Sequence, residues 1–486
     1  MRMRRTQISP SEPPRRARRR RPRRERRGVA LILVIGAVAI LTLFLTELQE
    51  QTSAELSAAL ADRDALKAEY HARSAVNLGR LVIATEPTVR NALLPMFLMM
   101  GMRDAPQIPV WNFSDMLLGP FNDATGAAAF AAVAGVDPAS GKNLGLPGGG
   151  RFEVKIVDEE SKINVNGAAR GAAAVMDQNR LAQQLLALFN QEQYRPLFEQ
   201  RDADNQFSDA VTICGALIDW ADDDEMLNAC NPDPNAVGGA TGGVEDNFYQ
   251  LIGQTYQRKN AAFDSLEEVR MVRGFGDDLW ATFVDPDPGN PDKRVITVWG
   301  RPQATINVNN APPTTLLAVI CAYADPVATP LCTDPAQMST FIMGVTMARG
   351  LLQGAPLFGG SKDFTSAITG TGQGGGIGAM VLQAMGLQPV VLRAGGQRDL
   401  QAAVSTTSKF FSIYGEGVVP GNKRETRVRI HAVIDTSGAT AVSEIGLNAV
   451  VPTSGAGQIG DAMSPAAYEG MVRINPAGNI VYWRIE

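Results

Sequence analysis

The hydrophobic pattern changes period along the chain, and each change marks a different kind of element. From Val29 to Leu45 the residues read VALILVIGAVAILTLFL, with no charge. As a helix rising 1.5 Å per residue this run is about 26 Å long, close to the roughly 30 Å hydrocarbon core of a bilayer. Beyond it, Leu48, Leu56, Ala59, Leu60, Leu66, Ala72, Val76 and Leu81 recur mostly at helical steps with charges between them. The pattern predicts one helix from Val29 to about residue 84, ended by Pro87, with an apolar first half and an amphipathic second half. Such a second half can lie against a compact body; a coiled-coil stalk is the other reading.

Residues 87–150 mix Pro, Gly and small residues and read as loop with short helical pieces. Arg151 to Val157 (RFEVKIV) alternates in the β manner. The string Lys162-Ile163-Asn164-Val165-Asn166, followed by a helical run through Leu181, Leu185, Leu186 and Leu188, returns as Thr305-Ile306-Asn307-Val308-Asn309 before Leu316, Leu317, Val319 and Ile320. The shared sequel favours a duplicated unit over chance recurrence, with the second Asn of each copy expected to cap its helix. Segments 208–220 and 265–274 also read as helical, making residues 160–400 predominantly α. Segments 409–416, 425–435, 442–450 and 470–485 alternate again, and predict an antiparallel sheet that strand 151–157 can join.

Length and charge sharpen this outline. At 486 residues the chain suggests two or three domains. Its net charge is −5, but the first 27 residues hold thirteen Arg and two Glu, a charge of +11, which leaves −16 for the rest. An Arg run can bind nucleic acid electrostatically. Placed directly before an apolar span, with Glu47 and Glu50 soon after it, the run reads instead as a topology signal that keeps the N-terminus cytoplasmic and sends the body outside. The stretch TLFLTELQEQ offers no small-x-small cleavage site, so the apolar segment is expected to be retained.

Candidate chemistry is sparse. Cys214 and Cys230, and Cys321 and Cys332, are close enough in sequence to form two local disulfides in an oxidising compartment. Metal binding by these cysteines is disfavoured, because there is no CxxC and the only histidines are His71 and His431. With His71 on the long helix, His431 in the strand expected at 425–435 and no Gly-x-Ser-x-Gly elbow, a serine hydrolase is not expected. Gly370 to Gly376 lacks the Gly-Lys-Ser/Thr of a phosphate loop and no strand leads into it. The one dense constellation is Asp219, Asp222, Asp223, Asp224 and Glu225, followed by Glu245 and Asp246. Such hard oxygen ligands suit Ca²⁺, although the spacing is not that of an EF-hand, and a solvated acidic loop is the alternative.

Four features taken in order resemble the K-type minor pseudopilins of type II secretion systems (general secretion pathway protein K). They are the Arg-Arg-Gly junction before the apolar helix; Asp158-Glu159 leading into Lys162-Ile163-Asn164-Val165-Asn166; Asp219-Trp220-Ala221-Asp222 with a later Gly243-Val244-Glu245-Asp246; and the closing Val481-Tyr482-Trp483-Arg484. The resemblance implies an α+β, pilin-like fold: a long N-terminal helix packed on an antiparallel sheet, with a large inserted α-helical domain of two SAM-like, helix-hairpin-like repeats. The expected divisions are a basic leader (1–28), the transmembrane and stalk helix (29–84), the first part of the pilin-like domain (85–158), the inserted domain (159–403) and the completing strands (404–486). It implies cleavage between Gly28 and Val29 by a prepilin peptidase, N-methylation of Val29, and a non-catalytic subunit at the tip of a periplasmic pseudopilus. Implied partners are other minor pseudopilins, the major pseudopilin and the inner-membrane assembly platform, in a single-pass inner-membrane protein that binds no nucleic acid. The implied cofactor is calcium in the inserted domain, with Asp222, Asp224, Glu245 and Asp246 as expected ligands. Most pilins carry Glu as the fifth mature residue; this chain has Leu33. A minor pilin of a type IV pilus is the near alternative, and a signal-anchored periplasmic calcium-binding protein or enzyme the distant one.

Overall fold

The computed structural model describes residues 27–99, 105–114, 150–169, 175–202, 204–230, 240–244, 248–303, 305–352, 354–371, 377–421, 424–439 and 477–486. The chain forms two compact units, Met1–Arg63 and Asp64–Glu486. In the first, the described residues belong to helix α1 (Arg27–Met99), and every side chain described there is exposed. This is the one helix among the described residues that is long and apolar enough to cross a membrane. It does not stop at Pro87, as the sequence suggested, but runs on with Pro87 and Pro95 inside it. Each proline removes one helical hydrogen bond at a cost of about 3 kcal/mol. Packing offsets that cost here: Val82, Ile83 and Ala84 are buried just before Pro87, and Phe97 just after Pro95. Glu86, also buried, accepts from the Ile108 amide at 3.1 Å and pairs with Arg90 at 3.4 Å.

The second unit holds a four-stranded antiparallel sheet of order β1-β8-β9-β10, formed by β1 (Arg151–Asp158), β8 (Phe410–Pro420), β9 (Glu425–Asp435) and β10 (Asn479–Ile485). The early strand joins the C-terminal ones as expected, with Arg151 opposite Val418 and Asp158 opposite Phe411. The strand expected at 442–450 lies outside the described residues. The fold is therefore pilin-like α+β, a long helix on an antiparallel sheet. Residues Ala72, Ala75, Val76, Val82 and Ile83 of α1 share one buried cluster with Phe152, Val154, Ile156, Phe411, Ile413, Ile430, Ala432 and Ile434. Gly415 and Gly417 let the helix approach closely: a Cβ on Gly417 would strike the Ala68 carbonyl, and one on Gly415 would stand 2.6 Å from the Ala72 oxygen.

Between β1 and β8 the chain leaves the sheet for two repeats, each closed by a two-residue parallel pair. The first opens at β2 (Ile163–Asn164) and closes at β5 (Ile296–Thr297); the second opens at β6 (Ile306–Asn307) and closes at β7 (Val404–Ser405). The duplicated string thus places the entrance of each repeat beside its exit. Its asparagines act differently from the expectation. The first Asn of each copy makes the local turn: Asn164 accepts from the Asn166 amide at 3.0 Å, and Asn307 from the Asn309 amide at 3.1 Å. The second clamps distant backbone instead of capping a helix. Asn166 accepts from the Phe263 amide at 2.7 Å and donates to the Phe263 and Val298 carbonyls; Asn309 accepts from the Leu357 and Phe358 amides and donates to the Phe358 carbonyl at 2.9 Å. An amide can give and take at once, which a capping role would use only by half. Helix α2 (Val175–Phe189) of the first repeat packs on α4 (Pro313–Tyr323) of the second, and one hydrophobic core runs through both. Helix α3 (Ala210–Ala221) lies where 208–220 was expected helical, whereas 265–274 contains a 3₁₀ turn, Leu266–Met271.

Candidate functional site

The first site is the junction where β1 enters the repeats, built by three consecutive buried carboxylates. Asp158 ends the strand and caps the next turn, its Oδ1 accepting from the Glu160 amide at 2.9 Å. Its Oδ2 accepts from Ser408 Oγ (2.6 Å), Asn310 Nδ2 (2.7 Å) and Asn307 Nδ2 (3.2 Å), tying β1 to the second repeat and to the chain returning toward β8. Glu159 accepts from Lys162 Nζ at 2.9 Å and from the Thr297 hydroxyl, so it holds the first repeat. Glu160 accepts from the Arg301 amide and Nε and from the Lys409 amide at 2.7 Å, so it holds the link between repeats and the start of β8. Burial pushes Asp158 up to about 7 even though Ser408 and Asn310 favour its charge. Burial would raise Glu159 as well, but Lys162, Ser412 and Thr297 together hold it below the usual carboxylate range, while burial lowers Lys162 against the opposing pull of Glu159 at 2.9 Å.

His431, on the face of β9 that meets the repeats, has an arrangement that superficially suggests catalysis. Its Nε2 lies 3.0 Å from Ser412 Oγ, and that serine is also bonded to Glu159. Ser412 is fully buried, and Glu159 meets the serine rather than the far nitrogen of the imidazole, so the order of a Ser-His-acid relay is not reproduced. The ring stacks on Tyr414 at 4.2 Å and meets Trp299 and Tyr482 edge-on or tilted at 5.2 Å. Burial pulls its pKa down to about 3, with Glu159 opposing and Arg294, Lys162 and Arg429 reinforcing the fall. The folded-state pKa lies below the unfolded value of 6.5, so the unfolded chain binds the proton first. His431 therefore contributes stability that is present above pH 6.5 and lost as pH falls toward 3, with a slope approaching about 1.4 kcal/mol per pH unit. His431→Asn is expected to be less acid-labile than the parent between those limits in chemical denaturation at stepped pH; equal slopes would remove His431 from the acid response.

The second site is the acidic turn after α3. Asp209 caps that helix through the Thr212 amide at 2.8 Å, and Asp222 ends it. Asp219 Oδ1 accepts from the Asn228 amide at 2.8 Å, drawing β3 (Met226–Asn228) back toward the helix; β3 pairs with β4 (Ala240–Val244). Asp224, exposed, accepts from the Met226 amide at 2.7 Å. Asp222 is only 1% exposed. Its Oδ2 accepts from Gln178 Nε2 at 3.4 Å, while its buried Oδ1 has no hydrogen-bond partner among the described residues. Burial, then Asp219, Asp224 and Asp223, push Asp222 up to about 8, with Arg258 opposing. A buried carboxylate oxygen left unpaired amid other carboxylates is the chemistry a hard divalent cation satisfies. Glu245 and Asp246 lie outside the described residues, and no group of three metal-ligating side chains is assembled among the described ones.

The cysteines and the leader residues singled out by sequence also fall within the described structure. Cys214 is joined to Cys230 and Cys321 to Cys332, with Cα separations of 5.8 and 5.6 Å. Gly28 and Val29 lie in the first turn of α1, and Val29 and Leu33 are exposed. Sequence reading missed the junction: Glu160, Arg301, Asn310 and Ser408 bear no recognisable spacing. The available signal was the run Asp158-Glu159-Glu160-Ser161-Lys162 directly after an alternating strand, a charge density unsuited to a solvated hairpin. No protein-family model and no curated protein matches the chain. Among solved structures the chain is similar to a chain of the GspK-GspI-GspJ complex from the enterotoxigenic Escherichia coli type 2 secretion system, at 16% sequence identity, covering 69% of this chain and 80% of that chain, with a TM-score of 0.36.

Proposed function

We propose that this chain is a K-type minor pseudopilin that sits at the tip of a type II secretion pseudopilus, where it starts and caps assembly. The observation that carries the reading is α1 itself: one helix has an exposed apolar stretch of membrane-spanning length and a later stretch packed on a four-stranded antiparallel sheet. A subunit so built is anchored in the bilayer by the same element that orders its body. Residues 159–409, over half of the chain, stand between β1 and β8. Bulk of this size beside the sheet obstructs stacking of a further subunit on that side. Leu33 agrees with a terminal position, since a carboxylate there would need a neighbour's ammonium to avoid about 2.5–3.5 kcal/mol of insertion cost.

In this reading a prepilin peptidase cleaves between Gly28 and Val29, Val29 is N-methylated, and the body lies in the periplasm, an oxidising space consistent with both disulfides. The partners are other minor pseudopilins, the major pseudopilin and the inner-membrane assembly platform; the protein has no catalytic role. Calcium is held at the acidic turn by Asp222 and Asp224 with Glu245 and Asp246, and the unpaired Asp222 oxygen supports that assignment. Deletion of the gene is expected to impair export of folded proteins and to leave pseudopili of altered number or length. Normal export with normal pseudopili would sink the proposal, and loss of surface pili with intact secretion would transfer it to a type IV pilus.

A further inference from the structure

We infer that the Cys214–Cys230 disulfide and the acidic turn are coupled, so that a bound divalent cation and an oxidised bridge each stabilise the other. This rests on the calcium reading above. Between the two cysteines stand five carboxylates, Asp219, Asp222, Asp223, Asp224 and Glu225. Cys214 lies within α3, the carboxylates follow at and beyond its C-terminal end, and β3 then turns back along the helix to Cys230. The bridge therefore closes the loop that carries these five carboxylates, Asp222 and Asp224 among them.

The return is tight at every point. A Cβ on Gly215 would stand 2.6 Å from the Asn228 carbonyl, so the strand passes against the helix backbone itself. Asn228 donates its amide to Asp219 and accepts from the Cys230 amide at 2.8 Å. Cys230 holds a φ of +42°, a left-handed conformation that a side-chain-bearing residue rarely adopts. Opening the bridge removes the covalent hold on that conformation and lets β3 leave the helix. The carboxylates repel one another and spread once nothing confines them, whereas a cation needs them convergent. Confinement of Asp222 and Asp224, the two expected ligands within the loop, is thus supplied by the disulfide, and by linkage the cation must favour the oxidised bridge by the same factor.

The second bridge provides an internal control. Cys321–Cys332 closes a similar loop in the other repeat, but Asp325 is the only carboxylate within it. The test uses the full chain in detergent, equilibrated in glutathione buffers with and without Ca²⁺, with each bridge read by alkylation and mass spectrometry. In each bridge, two glutathione thiols supply the two electrons and two protons that convert the disulfide to two cysteine thiols, and leave as glutathione disulfide. Calcium is expected to shift the Cys214–Cys230 equilibrium toward the disulfide by about tenfold, or about 30 mV, and to leave Cys321–Cys332 unmoved. Direct titration of the oxidised chain with Ca²⁺ separates the possible failures. Absence of binding overturns the calcium reading and the coupling with it. Binding without a shift at Cys214–Cys230 overturns the coupling alone, and an equal shift at both bridges overturns it in favour of general stabilisation of the fold.

Discussion

Lys162→Met is expected to destabilise the body by about 3–5 kcal/mol, because it leaves the fully buried Glu159 carboxylate without its counter-charge. Both side chains of the pair are sealed from solvent, so water cannot enter to compensate. The double variant Glu159→Gln/Lys162→Met should recover most of the loss: the glutamine amide oxygen can still accept from Thr297, and no charge remains buried. Chemical denaturation of the full chain in detergent measures both. A single variant costing under about 1 kcal/mol, or a double variant no better than the single, would show that the pair is not what holds the entrance of the first repeat.

Gly417→Val should cost about 3 kcal/mol or more, the upper range for overpacking, since the added atoms meet the backbone of α1 at Ala68 and Ala72. Backbone cannot rotate aside as a side chain can, so relief requires the helix to lift from the sheet. Lifting it uncovers the cluster of Val76, Phe152, Ile413 and Ile430. Gly438→Ala is the matching control, because a Cβ there meets nothing within 4 Å, and it should change stability by less than about 0.5 kcal/mol. Equal melting temperatures for Gly417→Val and the parent would refute the close helix-sheet contact.

Much of this architecture was legible where local sequence and tertiary demand coincide. The apolar run at Val29–Leu45 has the length and composition of a membrane span and the first part of β1 buries one face, so period alone reports them, whereas alternation in β8 and β9 sorts residues between two buried faces, one against α1 and one against the repeats. The duplicated Ile-Asn-Val-Asn string also carried its message, since two copies before two helical runs mark two equivalent places in the fold. Readability failed where distant residues decide. Pro87 looked like a stop because a proline's local cost is visible in sequence, whereas the packing of Ile83, Ala84 and Phe97 that offsets it is not. Asn166 and Asn309 looked like caps because their true partners, at Phe263 and Phe358, are far away in the chain. Glu160, the third junction carboxylate, was hidden for the same reason. Glu160 reaches Arg301 and Lys409, a geometry that exists only after the repeats have closed.

The long detour between β1 and β8 sets the order in which the protein can be made. Asp158 and Ser408, hydrogen-bonded across the junction, are 250 positions apart in the chain. At about 5–20 residues per second, β1 waits on the order of 12–50 s for the strand that pairs with it. The entrance of the first repeat, by contrast, can pair with its exit as soon as Ile296 and Thr297 emerge, and its core is completed by the second repeat. During synthesis β1 is therefore an alternating strand whose edge stays unpaired until β8 has been made. Conditions that slow elongation through residues 163–405 should reveal aggregation that the finished fold conceals.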